Sequence, residues 1–275
     1  MTPESHIERL SKLIGGVLRP EPGLGRIVLA LAFGLTVHLI FAAAVLAMIL
    51  AMYFGMSRSL GVVPWPYAAL TNALLIVQFP LVHSLLLTPS GIRWLSQIIP
   101  GPHGGTLGTT TYAIIASLQL LALFALWTPS GIVWWRLDGW ALWAMSGVYA
   151  LAWLLLLKAS WDAGAEVQAG ALGWMSLMKN AAPRFPDMPT TGLFRVIRQP
   201  IYVAFALTLW TVPVWTPDQS ALAVTLTTYC LLAPRRKERR FHARYGDRFL
   251  RYKREVPYAL PRLVVGERDG ECKTQ

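Results

Sequence analysis

Acidic residues are scarce in this chain: 14 Asp and Glu stand against 25 Lys and Arg in 275 residues, and all charged residues together make up 14%. A soluble domain normally carries about 25% charged residues, so the shortage argues against a soluble globule. Cysteine is nearly missing. Cys230 sits in an apolar run and Cys272 in the polar C-terminal stretch, a disparity that excludes a disulfide framework and a thiolate metal site. No n-region and cleavage site frame the first 26 residues, so a signal peptide is not expected there.

What is present is apolar length. Hydrophobic residues make up 55% of the chain, twelve of them Trp, and a polytopic membrane protein follows as the expected class. Ile7, Leu10, Leu13, Ile14 and Leu18 share one face of an amphipathic interfacial helix in residues 1–26, which ends at Pro20 and Pro22. Residues 27–157 then hold four spans, each near the 20 helical residues that a hydrocarbon core requires: 27–53, 67–87, about 110–127 and about 139–157. Trp65, Trp94, Trp127, Trp134, Trp135 and Trp140 fall at or just outside their ends, where an interfacial aromatic belt lies. Residues 201–215 and 219–233 are shorter, about 22 Å each at 1.5 Å per residue, and Pro213 and Pro217 make a bend between them. They form a hairpin that begins and ends on one side. The expected architecture is therefore an all-α polytopic bundle of about six membrane helices with a C-terminal amphipathic basic helix. Residues 158–262 hold a cytoplasmic loop, this hairpin and the basic helix, and 263–275 form a frayed tail.

Positive charge sets the orientation. With the N-terminus cytoplasmic, the inner segments carry Arg9, Lys12, Arg19, Arg26, Arg93, Lys158, Lys179, Arg184, Arg195, Arg198 and the basic C-terminal stretch, whereas the outer loops carry only Arg58 and Arg136. Both termini are expected in the cytoplasm, with a bacterial inner membrane as the setting. Between Pro234 and Arg262 eleven Lys or Arg face only Glu238, Asp247 and Glu255. Next to a membrane helix such a segment reads anionic lipid, and with no other nucleic-acid cue a nucleic-acid partner is not expected.

Chemistry concentrates at the hairpin's two ends. The turn Arg198-Gln199-Pro200-Ile201-Tyr202 places a guanidinium and a carboxamide before a helix start, with proline where no amide proton is needed, a setting for a carboxylate. Glu238 lies among Arg235, Arg236, Lys237, Arg239 and Arg240 and offers an acceptor for an ammonium or a hydroxyl. The two ends together suit an amino-acid-like headgroup; the bland alternative is an interfacial Arg and an acid balancing a basic helix. His38 reads as a packing residue. His83, near Gln78 and Pro80 within the second span, is a candidate for substrate contact, as is Asp162, which also stands at helical spacing for a pair with Lys158.

The pattern Arg-x-Pro-x-Tyr, a short apolar hairpin, Glu-Arg-x-Phe-x-x-x-Tyr-Gly-x-x-x-x-x-Tyr and Val-Pro resembles the C-terminal half of the isoprenylcysteine carboxyl methyltransferase superfamily. The wider comparison is with its NnrU-like, methanethiol S-methyltransferase branch. There His83-Ser84 with Arg93-Trp94 and Pro100, Trp127-Thr128-Pro129 with Val133-Trp134, and Trp161-Asp162 look like that branch's corresponding segments. The resemblance covers about residues 70–262. It implies a membrane-embedded methyltransferase using S-adenosylmethionine, with Arg198, Gln199, Pro200, Tyr202 and Glu238 as cofactor contacts, Arg251 and Tyr252 closing the pocket, and a small or lipophilic acceptor, a thiol first.

Four positions depart from that pattern: Gln199 stands where the family has His, Ala204 where it has Gly, Lys237 where it has the first Glu of a pair, and Phe249 where it has Tyr. Gln keeps hydrogen bonding but cannot titrate near neutral pH as His does. Two other readings stay open. The C-terminal pattern with Val256-Pro257-Tyr258 also resembles NADPH-dependent membrane sterol reductases, and a haem-binding or non-catalytic NnrU-like protein would keep the fold without the site.

Overall fold

The computed structural model describes residues 6–99 and 101–261; the expected tail 263–275 and Cys272 lie outside them. Helix α1 (His6–Leu18) is amphipathic and is followed by α2 (Leu24–Tyr53), α3 (Tyr67–Leu86), α4 (Pro89–Ile98), α5 (Gly104–Leu126) and α6 (Gly139–Asp162). Two short helices, α7 (Ala165–Gln168) and α8 (Ala171–Met178), and a 3-10 turn at Gly192–Arg195 lead to α9 (Pro200–Trp210), α10 (Pro217–Tyr245) and α11 (Asp247–Glu255). Four of these helices, α2, α3, α5 and α6, are long and apolar enough to cross a membrane. Their outward faces are greasy: Leu31, Leu35, Leu39, Leu46 and Leu50 of α2 are all exposed, as residues facing lipid would be. The protein is an all-α polytopic membrane protein.

Observed boundaries extend the expected ones in an instructive way. α5 starts at Gly104, six residues before the expected Thr110, and within it Thr110 Oγ1 donates to the Gly170 carbonyl at 2.8 Å and Thr111 Oγ1 to the Leu107 carbonyl. α10 does not stop at Ala233 but runs through Pro234 to Tyr245. One rod of about 43 Å, at 1.5 Å per residue, thus joins the apolar leg of the hairpin to the basic segment. Three short helices, α4, α7 and α8, were not anticipated. α4 begins at Thr88, whose side chain accepts from the Gly91 amide, with Pro89 at the first helical position. α8 is short and largely buried, and packs against α1, α2 and α5.

The hairpin's bend lies at the end of the bundle where α2 and α5 finish and α6 begins. There strands β1 (Trp135–Arg136) and β2 (Val214–Trp215) pair antiparallel, Trp135 opposite Trp215. Thr216 Oγ1 donates to the Gly55 carbonyl at 2.5 Å while accepting from the Gln219 amide at 2.9 Å, capping α10. Asp218 accepts from Trp127 Nε1 at 3.1 Å and from the Ser130 amide and hydroxyl at 2.9 and 2.6 Å. α9 alone has 11 residues, yet with its flanking turns the hairpin reaches from the basic end of the bundle to the tryptophan-rich end. Between those ends runs the main core, including Met52, Phe79, Leu123, Phe124, Leu209, Leu222 and Leu226.

Candidate functional site

Four segments meet at the basic end: the 3-10 turn, the turn before α9, α10 just past Pro234, and α11 with the segment after it. The chain after α11 lies along the turn, where the Arg198 amide donates to the Pro257 carbonyl at 2.9 Å and the Gln199 amide to the Tyr258 carbonyl at 3.2 Å. Arg198 then anchors the assembly. Its Nη1 donates to the carbonyls of Lys253 at 2.9 Å and Val256 at 2.6 Å, answering the orphan carbonyls where α11 ends. Its Nε donates to Glu238 Oε1 at 2.9 Å, and both side chains are nearly buried, 8% and 13% exposed. Arg198 is thus engaged with protein partners on two sides, where the sequence suggested a ligand carboxylate.

Gln199 bridges opposite charges. Its Nε2 donates to the same Glu238 Oε1 at 2.9 Å, and its Oε1 accepts from Lys237 Nζ at 3.4 Å. A carboxamide can face an anion with one end and a cation with the other without titrating. That accounts physically for Gln199 and Lys237 appearing together. The Lys237 ammonium also lies 5.3, 5.9 and 5.4 Å from the ring centres of Phe194, Tyr202 and Phe241, within cation–π range. Burial lowers its pKa to about 8, with Arg240 adding to the effect and Glu238 opposing it.

Supporting contacts fix these parts. Tyr252, on the buried face of α11, donates its hydroxyl to the Phe194 carbonyl at 2.6 Å, and burial pushes its pKa up to about 12, so the phenol stays protonated at neutral pH. Asp162 accepts from the Leu193 amide at 2.8 Å and pairs with Lys158, so it holds the start of the 3-10 turn that delivers Phe194. At Gly192 the backbone has a positive φ of 59°, and a Cβ there would lie 2.3 Å from Asp162 Oδ2. Glycine meets both demands.

The structure therefore brings together Arg198, Gln199, Glu238 and Tyr252, with Tyr202 reaching in through its ring and Pro200 buried at the helix start. Arg251 is exposed and outside the lining. His83 lies within α3, its ring nitrogens at 2.8–2.9 Å from the Tyr112 hydroxyl and its ring packed on Phe79. His38 accepts from Trp174 Nε1 at 3.3 Å, so both of these histidines have a protein partner. Phe194 and Phe241 are the residues that sequence reasoning passed over. Only Phe241, four residues after Lys237 on one helix, had a local signal.

The enclosed space between Arg198, Gln199, Glu238, Phe241 and Tyr252 is about 10 Å³, room for about one water molecule. The donor set nevertheless has the chemistry of a cationic amino-acid ligand. Both bonds to Glu238 land on Oε1, leaving Oε2 for a ligand, and three rings already surround a positive charge.

Several curated methyltransferases are similar to this chain. Methanethiol S-methyltransferase 2 of Bradyrhizobium diazoefficiens is 28% identical over 207 residues, 75% of this chain and 78% of its own length. Methanethiol S-methyltransferase of Mycobacterium tuberculosis is 27% identical over 204 residues, 72% of this chain and 80% of its own. Nurim of Xenopus laevis is 27% identical over 175 residues, 58% of each chain. No family model and no solved structure matches the chain.

Proposed function

Starting from that similarity to methanethiol S-methyltransferases, we propose that this chain is a membrane S-adenosylmethionine-dependent methyltransferase acting on a small thiol. The observation that carries the reading is the Arg198–Glu238–Gln199 cluster, joining the hairpin's two ends and α11 at the basic end of the bundle. The positive charges gathered there support a cytoplasmic location for this end, the side on which the donor is made.

The donor would supply a methyl group on a cationic sulfur. Glu238 would hold its ammonium or a ribose hydroxyl through Oε2, Phe194, Tyr202 and Phe241 would offer their faces to its positive charge, and Gln199 would orient the carboxylate of Glu238. Arg198 would set the shape of the site through α11 and Glu238. Methyl transfer to a thiolate requires no base beyond the one that forms the thiolate; alignment and exclusion of water carry most of the rate. The buried aromatic lining provides the latter.

Calorimetric titration of the detergent-purified protein with S-adenosylhomocysteine tests the cofactor assignment. Saturable binding is expected, and Glu238→Gln should weaken it about tenfold, the scale of one charge-assisted hydrogen bond. A folded wild-type protein that binds none contradicts the proposal.

A further inference from the structure

Lys237 occupies the place a cationic ligand would take. Its ammonium is surrounded by rings from three segments, Phe194 from the 3-10 turn, Tyr202 from α9 and Phe241 from α10, at 5.3–5.9 Å. Among the described residues its hydrogen bond to the polar cluster is the long one to Gln199, 3.4 Å. The cavity beside it holds no more than about one water. A ligand the size of a nucleoside sulfonium enters only if something leaves, and the flexible four-carbon stem of lysine is the readiest to move.

We infer that Phe194, Tyr202 and Phe241 form a subsite for an onium cation, and that Lys237 is its resident occupant, which withdraws when the cationic donor binds. The inference rests on the proposed use of S-adenosylmethionine and goes beyond it, in making this chain's own side chain a competitor for the donor's charge. Two positive charges cannot share one cage without repulsion, so binding is favoured when Lys237 gives its proton to solvent or swings out.

The groups that face Lys237 are Glu238 and Arg240 on its own helix, Arg198 and Gln199 from the turn, Tyr202 from α9 and Tyr252 from α11. With the ammonium losing its proton near pH 8, the fraction of protein with an uncharged cage rises through the physiological range. Apparent affinity follows that fraction.

Affinities of the full-length protein in detergent for S-adenosylmethionine and for neutral-sulfur S-adenosylhomocysteine, measured from pH 6.5 to 8.5, test this. The two ligands share every titrating group, so their affinity ratio isolates the sulfonium. In wild type the ratio in favour of the sulfonium is expected to rise on the order of tenfold across that range. In Lys237→Met, whose apolar stem fits among aromatic rings, it is expected to be high and flat with pH. A ratio that is flat in wild type, or that still rises in Lys237→Met, overturns the inference while leaving the methyltransferase reading standing. Binding of neither ligand to either protein overturns both.

Discussion

Glu238→Ala is expected to destabilise the protein by about 3–5 kcal/mol, the range for breaking a buried ion pair by removing one partner. The substitution removes the common acceptor of Arg198 Nε and Gln199 Nε2 and leaves a nearly buried guanidinium without its carboxylate. Arg198 would still hold the carbonyls of Lys253 and Val256, so α11 should remain docked while the turn before α9 loosens. Denaturant unfolding in detergent reads the first effect, and loss of S-adenosylhomocysteine binding reads the second. An unchanged stability would mean that the pair is no more than a solvent-screened surface contact, worth roughly 0–1 kcal/mol.

The second large effect lies at the opposite end. Asp218→Ala strips the partner from Trp127 Nε1 and from the amide and hydroxyl of Ser130, and Trp127 is itself buried at 4% exposure. Buried donors left unpaired cost about 1–3 kcal/mol each, so a loss of about 2–4 kcal/mol is expected, with Asp218→Asn recovering part of it by keeping an acceptor oxygen. Thermal unfolding of the three proteins side by side checks the order. Equal stability of all three would show that the hairpin's bend is held by β1–β2 pairing and the Thr216 cap alone.

Much of the fold was legible because a bilayer imposes length on apolar runs: the ends of α3 and the start of α6 fell within a residue of expectation. α8 was hidden because an eight-residue apolar run between Gly170 and Lys179 carries no such length signal, and it gains its stability from packing against α5, α2 and α1 rather than from its own sequence. In the candidate site, the gathering of Arg198, Gln199 and Glu238 was legible from the hairpin's return to its starting end. The partners of Arg198 at the end of α11 were not, since a bond across 58 residues to the Val256 carbonyl leaves no local pattern. Asp162 shows both cases. Its pairing with Lys158 followed from helical spacing, whereas its hold on the Leu193 amide depends on a turn 31 residues away.

Lys237 is the clearest instance of a residue whose meaning the linear sequence inverts. Read along the chain it is one cation in a basic run that faces lipid headgroups; in three dimensions it is half-buried, set among rings from three segments.

The most direct test of the account is transfer of the S-adenosylmethionine methyl group, followed with an isotopically labelled donor, by the purified protein in lipid with methanethiol as acceptor. The account predicts labelled dimethyl sulfide and one equivalent of S-adenosylhomocysteine per turnover, both abolished in Glu238→Ala. A folded protein that binds the donor yet labels neither methanethiol nor any other small thiol would contradict it.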